Sequence, residues 1–176
     1  DAATRETLLQ KGINTLNTFL TEKYHSFTPI QKAELNFSNQ QSVVDEVHLT
    51  GNLDLVDIDD SAKTMTVTDY KTGHPSRDWK GKTGYDKIKL HRYRQQLMFY
   101  KLLVEHSRDY GSYSVTRGIL QFVEPTKEKE ILSLEDDFSA AEIDEFKQLL
   151  TTVWRKIITL DLPNIDNYEP SYKGIL

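Results

Sequence analysis

Three residues of this chain could do chemistry together: Asp54, Asp69 and Lys71. In the β-branched run TMTVTDY, residues 64–70, strand alternation puts Asp69 and Lys71 on one face, about 6.6 Å apart along the strand, and Tyr70 on the other. Asp54 lies on the preceding extended stretch, three residues after Gly51. The cluster Asp59-Asp60-Ser61-Ala62-Lys63 reads as a hairpin turn that folds the two strands together. A turn centred near Asp60 or Ser61 brings Asp54 close to the level of residues 66–69. Two carboxylates and an ammonium then converge, a set suited to an oxygen-liganded Mg²⁺ beside a phosphate. Such a metal polarises a phosphoryl oxygen and lowers the pKa of a bound water, while Lys71 positions that water or stabilises developing negative charge. Taken alone, a D-x-K triplet reads more simply as a surface ion pair, with Asp54 a strand-end carboxylate.

A second pair, Gln96 and Tyr100, is four apart on a helical stretch and shares a face. An amide and a phenol there can point toward a backbone phosphate or toward the lysine. The alternative is a core tyrosine with a glutamine at its rim. Charge supports a phosphate-facing surface. Residues 71–101 hold nine Lys or Arg against two acids, a local +7, whereas the rest of the chain, with 13 bases and 25 acids, carries −12. A charge run is most often only a solvated loop, but here Trp79, Tyr85 and Tyr93 interleave with the bases. That mixture suits single-stranded DNA, because bases stack on rings while Lys and Arg meet phosphates.

The elements that must position these residues follow from periodicity. Residues 4–24 carry Leu8, Leu9, Ile13, Leu16, Phe19 and Leu20 at helical spacing, with Thr4 as N-cap. Residues 30–37 alternate as a half-buried strand, and 43–58 form a long extended stretch in which Gly51 marks a bulge or a close backbone approach. Residues 64–70 return as the third strand. Residues 71–89, rich in glycine and charge and without periodicity, read as a long loop. A helix over 90–105, a strand over 113–123 and a helix over 140–158, capped by Ser139 with Glu142 three residues on, complete the order. The tail from Leu160 reads as irregular. The whole is an α/β protein: a sheet flanked by helices, with the candidate residues near its centre.

In order and spacing, Ala33-Glu34-Leu35, Gly51-Asn52-Leu53-Asp54, Asp69-Tyr70-Lys71-Thr72-Gly73 and Gln96-Leu97-Met98-Phe99-Tyr100 resemble the RecB-like nuclease domain of the PD-(D/E)xK superfamily. The resemblance runs from about residue 30 to 125. It implies a restriction-endonuclease-like αβββαβ core with a central mixed sheet, and Mg²⁺- or Mn²⁺-dependent hydrolysis of DNA phosphodiesters. It implies further that Asp54, Asp69 and the backbone carbonyl of Tyr70 hold the metal, with Glu34 as an added acidic residue, and that Lys71 is catalytic with Gln96 and Tyr100 in the helix motif. DNA would approach along Arg77, Trp79, Lys80, Lys82, Lys87, Lys89, Arg92 and Arg94. Such domains often end helicase-nucleases, so helicase domains of the same parent chain or complex are the implied partners, in DNA repair and recombination. Many members carry an upstream helix histidine at the metal site. His25, His48 and His91 do not stand in that context, which implies a fragment that binds metal weakly or is inactive. A nuclease fold kept only as a DNA-binding scaffold is the alternative.

At 176 residues the chain is one domain's length, and it buries roughly 70% of its unfolded surface. It has no cysteine, which excludes disulfides, thiolate metal sites and the iron–sulfur members of that family. No apolar run approaches the roughly 20 residues of a membrane span. The first residue is Asp1 and no leader pattern opens the chain, so a piece of a larger cytoplasmic protein is expected. Gly81-Lys82-Thr83 resembles the end of a phosphate-binding loop, but Ser76 stands where the first glycine belongs and no strand precedes it. Asn36-Phe37-Ser38 is a glycosylation sequon by pattern only.

Overall fold

A computed structural model describes residues 1–161; the irregular tail expected from Leu160 lies, beyond Asp161, outside the described residues. Helix α1 spans Ala2–Lys23 and is capped by Asp1 rather than by Thr4. The Asp1 carboxylate accepts from the Thr4 amide at 2.8 Å, satisfying one of the orphan donors of the first turn. A 3₁₀ turn over Tyr24–Ser26 leads to strand β1, Lys32–Asn36.

The extended stretch expected over 43–58 is three strands. β2 (Ser42–Val44) and β3 (Val47–Leu49) form a tight hairpin of their own, and β4 is Asn52–Asp59. The break comes at Asp45-Glu46, where Asp45 takes a left-handed φ of 51°, a conformation short polar side chains tolerate in two-residue turns. Strand β5 follows (Thr64–Lys71), then α2 (Gly84–Glu105), β6 (Ser114–Phe122), β7 (Ser133–Asp136) and α3 (Ala140–Ile158), the last on the Ser139 cap. Helix α2 begins at Gly84 rather than Leu90, so the preceding loop is shorter than its composition suggests. A capping box is the reason: the Thr83 hydroxyl accepts from the Asp86 amide and the Asp86 carboxylate from the Thr83 amide, both at 3.1 Å. The first turns stand in solvent, Tyr85 and Ile88 included, so no buried stripe marks them.

The sheet runs β1-β4-β5-β6-β7, with β5 and β6 parallel and every other pair antiparallel. A parallel pair needs a crossover, and α2 supplies it. The α/β class and the mixed sheet flanked by helices are as expected; the β2–β3 hairpin and β7 are additions. Val56, Met65, Val67 and Leu120 face Leu97, Leu103 and Val104 of α2 in one buried core. Helix α3 is tied to the β2–β3 hairpin by Arg155 on Glu46 and by the Thr151 hydroxyl on Asp45.

Two glycines let α2 come close. A Cβ on Gly51 would meet Leu103 Cδ2 at 3.3 Å, so this glycine marks a close approach rather than a bulge. A Cβ on Gly118 would stand 2.5 Å from the Phe138 ring and 3.2 Å from Leu97 Cβ.

The opposite face of the sheet is covered sparingly. Phe19, 6% exposed, is α1's contribution to the core, and its ring meets Tyr70 edge-on at 6.0 Å. Leu8, Leu9, Ile13, Leu16 and Leu20, the rest of the expected apolar stripe, are exposed. None of the helices is long and apolar enough to cross a membrane among the described residues.

Gly118→Ala is expected to cost about 1–3 kcal/mol by overpacking under α2. Urea unfolding reads this as a lower midpoint at unchanged slope; an unchanged midpoint would show that Phe138 yields freely.

Candidate active site

Strands β4 and β5 pair Leu55 with Thr68 and Val56 with Val67, so one further step sets Asp54 level with Asp69. The backbone fastens this end: the Tyr70 amide donates to Asp54 Oδ2 at 2.8 Å. Alternation sends Asp69 and Lys71 toward α2 and Tyr70 to the other face, where Phe19 meets it. Burial, helped by the charges of Asp57 and Asp54, raises the Tyr70 pKa.

Helix α2 completes a closed ring. The Lys71 ammonium donates to Gln96 Oε1 at 2.8 Å, and Gln96 Nε2 donates to the Tyr100 hydroxyl at 2.8 Å. Tyr100 donates to Asp69 Oδ1 at 3.0 Å, and Asp69 Oδ2 lies 2.6 Å from Lys71 Nζ. The run from Lys71 through Gln96 and Tyr100 to Asp69 points one way, an arrangement in which hydrogen bonds polarise one another, and the ion pair from Lys71 back to Asp69 closes it from the cationic end. It also fixes the Gln96 amide, since an ammonium has no acceptor and must face the carbonyl. Tyr93, one turn before Gln96, lies under Lys71 with its ring centre 4.8 Å from Nζ. Its position three residues ahead of Gln96 on the helix was the signal available in the sequence for this contact.

Asp69 is 1% exposed. Desolvation raises its pKa; Lys71 opposes the rise, Asp54 adds to it by like-charge repulsion, and the Tyr100 hydrogen bond opposes it. The 2.6 Å approach of Lys71 is not directed as a hydrogen bond, so Oδ2 is a buried carboxylate oxygen with an ion-pair partner and no aligned donor. Burial and the neighbouring Asp69 charge push the Tyr100 phenol well above its ordinary pKa, which keeps it a neutral donor. Two neighbouring carboxylates, one of whose oxygens has no aligned donor, make a donor set that suits a hard divalent cation that keeps waters and shares a phosphate, since Mg²⁺ is commonly held by one or two carboxylates. Among the described residues no group of three Asp, Glu, His or Cys forms. Glu34 is exposed on β1, with a left-handed φ of 52°, between the pairs Ala33–Leu55 and Leu35–Leu53 and hence at the register level of Asp54. His25, His48 and His91 are exposed.

The basic segment divides. Arg77 pairs with Glu130 and Glu128. Arg94 is gripped by Asp136 and Glu142, which raise its pKa further, and its Nη2 meets Glu142 Oε2 at 2.9 Å. Trp79 packs against the core, and its indole N–H donates to the Glu135 carbonyl at 2.8 Å. These three, expected along a DNA path, tie the loop and α2 to β7 and its flanks. Lys80, Lys82, Lys87 and Arg92 are exposed, and Lys89 reaches the His74 carbonyl at 3.4 Å.

Tyr100→Phe keeps the ring packing but strands Gln96 Nε2 and Asp69 Oδ1, so a stability loss of about 1–3 kcal/mol is expected in denaturant titration. A pH dependence follows from Asp69. A carboxyl whose folded pKa is raised binds its proton more tightly when folded. Its contribution to stability is therefore greatest below the ordinary value near 3.8 and falls as pH rises toward the raised one. In metal-free protein, Asp69→Asn is expected to flatten this fall, read as the difference between the two urea midpoints at pH 4 and pH 7. A difference that does not change with pH would show that Lys71 fully offsets the burial.

A comparison with curated proteins finds no match. The family model for the PD-(D/E)XK nuclease superfamily matches residues 2–169. Nucleases of that superfamily generally use divalent metals, in keeping with the donor set at Asp54 and Asp69. The matched span takes in every element that builds this site, and the chain belongs to the PD-(D/E)XK nuclease superfamily.

Proposed function

We propose that this domain is a Mg²⁺- or Mn²⁺-dependent deoxyribonuclease acting on single-stranded DNA, attached to a helicase in DNA repair and recombination. The observation that carries the reading is the closed ring through Lys71, Gln96, Tyr100 and Asp69, set level with Asp54. Asp54 and Asp69 would hold the metal together with the Tyr70 carbonyl, and Glu34 is the nearest further acid by register. When bound, the metal supplies Lewis-acid polarisation of the phosphate and a more acidic water. Gln96 and Tyr93 aim the Lys71 ammonium, and Gln96 holds Tyr100. Tyr100 fixes the Asp69 carboxylate through Oδ1, and a metal at Oδ2 would share that oxygen with the Lys71 ammonium 2.6 Å away. Lys71 would stabilise negative charge on the phosphoryl oxygens as water adds to phosphorus and the ester oxygen departs. The helicase partner is inferred from the motif set Gly51–Asp54, Asp69–Gly73 and Gln96–Tyr100 alone.

A second reading, a nuclease fold serving as a non-cleaving DNA-binding scaffold, is favoured by one observation. Among the described residues no third acidic or imidazole side chain joins the two carboxylates.

Calorimetric titration with Mn²⁺ of the parent, Asp69→Ala and Lys71→Ala, followed by incubation with labelled single-stranded DNA, separates the two. The nuclease reading expects metal binding lost in Asp69→Ala but kept in Lys71→Ala, and cleavage lost in both. Binding without cleavage in the parent, or neither, supports the scaffold.

A further inference from the structure

Helix α2 carries a stripe that the catalytic ring does not absorb. Tyr85, Ile88, Lys89, Arg92, Tyr93 and Gln96 are spaced by three and four residues, share one face, and line an open groove of about 470 Å³. At its far end the groove runs into the ring, because Gln96 holds Lys71 and Lys71 lies over Tyr93. At its near end stand two large apolar side chains in solvent, Tyr85 at 75% and Ile88 at 63% exposed. Two cations, Lys89 and Arg92, stand within the stripe itself. Arg77, Arg94 and Lys101, by contrast, are engaged by Glu130, Asp136 with Glu142, and Glu105. In a chain of net charge −5 this leaves apolar ring surface and unspent positive charge together in one strip leading to the site.

We propose that this face of α2 is a base-stacking platform for an unpaired DNA strand, with Tyr85 and Ile88 as the residues that set the preference for single strands over duplex. The proposal deepens the nuclease reading and rests on it for the direction of the strand, toward Lys71. Charge complementarity commits the occupant to a polyanion. The exposed ring and aliphatic side chain further require one that offers flat apolar faces. An unpaired strand presents phosphates to Lys and Arg and base faces to Tyr85 and Ile88. A duplex keeps those faces inside its own stack and meets the same surface through phosphates alone. The twelve residues from Tyr85 to Gln96 span about 16 Å of helix, which at roughly 3.4 Å per stacked base accommodates about five nucleotides.

The test is DNA binding by fluorescence anisotropy, in EDTA, using an oligothymidylate and a blunt duplex of the same length. The parent is compared with Tyr85→Ala, Tyr85→Ala/Ile88→Ala and Tyr85→Trp, each checked for helical content by circular dichroism. The double variant is expected to lose about tenfold or more in single-strand affinity and less than twofold for the duplex. Tyr85→Trp, which keeps a ring, is expected to retain single-strand affinity. Equal losses for both DNAs, or no loss for either, would overturn the platform. Should the double variant not fold, Tyr85→Ala against Tyr85→Trp decides alone. Because binding is read without metal, a site that never cleaves leaves this outcome intact, whereas normal cleavage with undiminished single-strand affinity in Tyr85→Ala/Ile88→Ala removes only the platform.

Discussion

The constraint from which the rest of the site follows is a carboxylate buried in the middle of a sheet. Asp69 is almost wholly removed from water, and its burial raises its pKa despite an ammonium 2.6 Å away. An isolated charge in that position would be costly enough to neutralise itself. The fold meets the cost with neighbours from two elements: Lys71 from the same strand, Tyr100 and Gln96 from the helix that crosses over it. The compensation is incomplete, and Oδ2 keeps a lone pair with no aligned donor.

Holding that ring demands a particular sheet. The antiparallel register of β4 on β5 brings Asp54 alongside, while the parallel pairing of β5 with β6 obliges α2 to cross the inner face. Gly118 and Gly51 then let the helix descend far enough for Gln96 and Tyr100 to reach the strand. The outer face, where alternation sends Tyr70, is under no such demand; there α1 touches the sheet through Phe19 and leaves five large aliphatic side chains in solvent.

The charges show a similar division of labour. The basic segment looked uniform along the chain, yet Arg94 and Arg77 are consumed by acids from β7, α3 and the loop before β7. Trp79 is consumed as an anchor on the Glu135 carbonyl. What remains at the surface is a smaller, more directed strip along the first turns of α2. Selectivity between a structural and an exposed arginine is set by partners more than forty residues away, as Arg94 with Asp136 illustrates.

What the sequence determined by itself is what local periodicity and short spacing encode. The D-x-K alternation on β5, the four-residue spacing of Gln96 and Tyr100 and the Ser139 cap of α3 were all legible, because each depends on residues within one or two turns of one another. Asp54 could be placed only to within a few positions, since one residue of register decides which side chain faces Asp69 and the hairpin turn does not state it. Tertiary structure decided the rest. It left the α1 stripe uncovered and closed the ring through Lys71. These features rest on long-range packing and on hydrogen bonds between distant segments, and no local pattern of residue types carries that information.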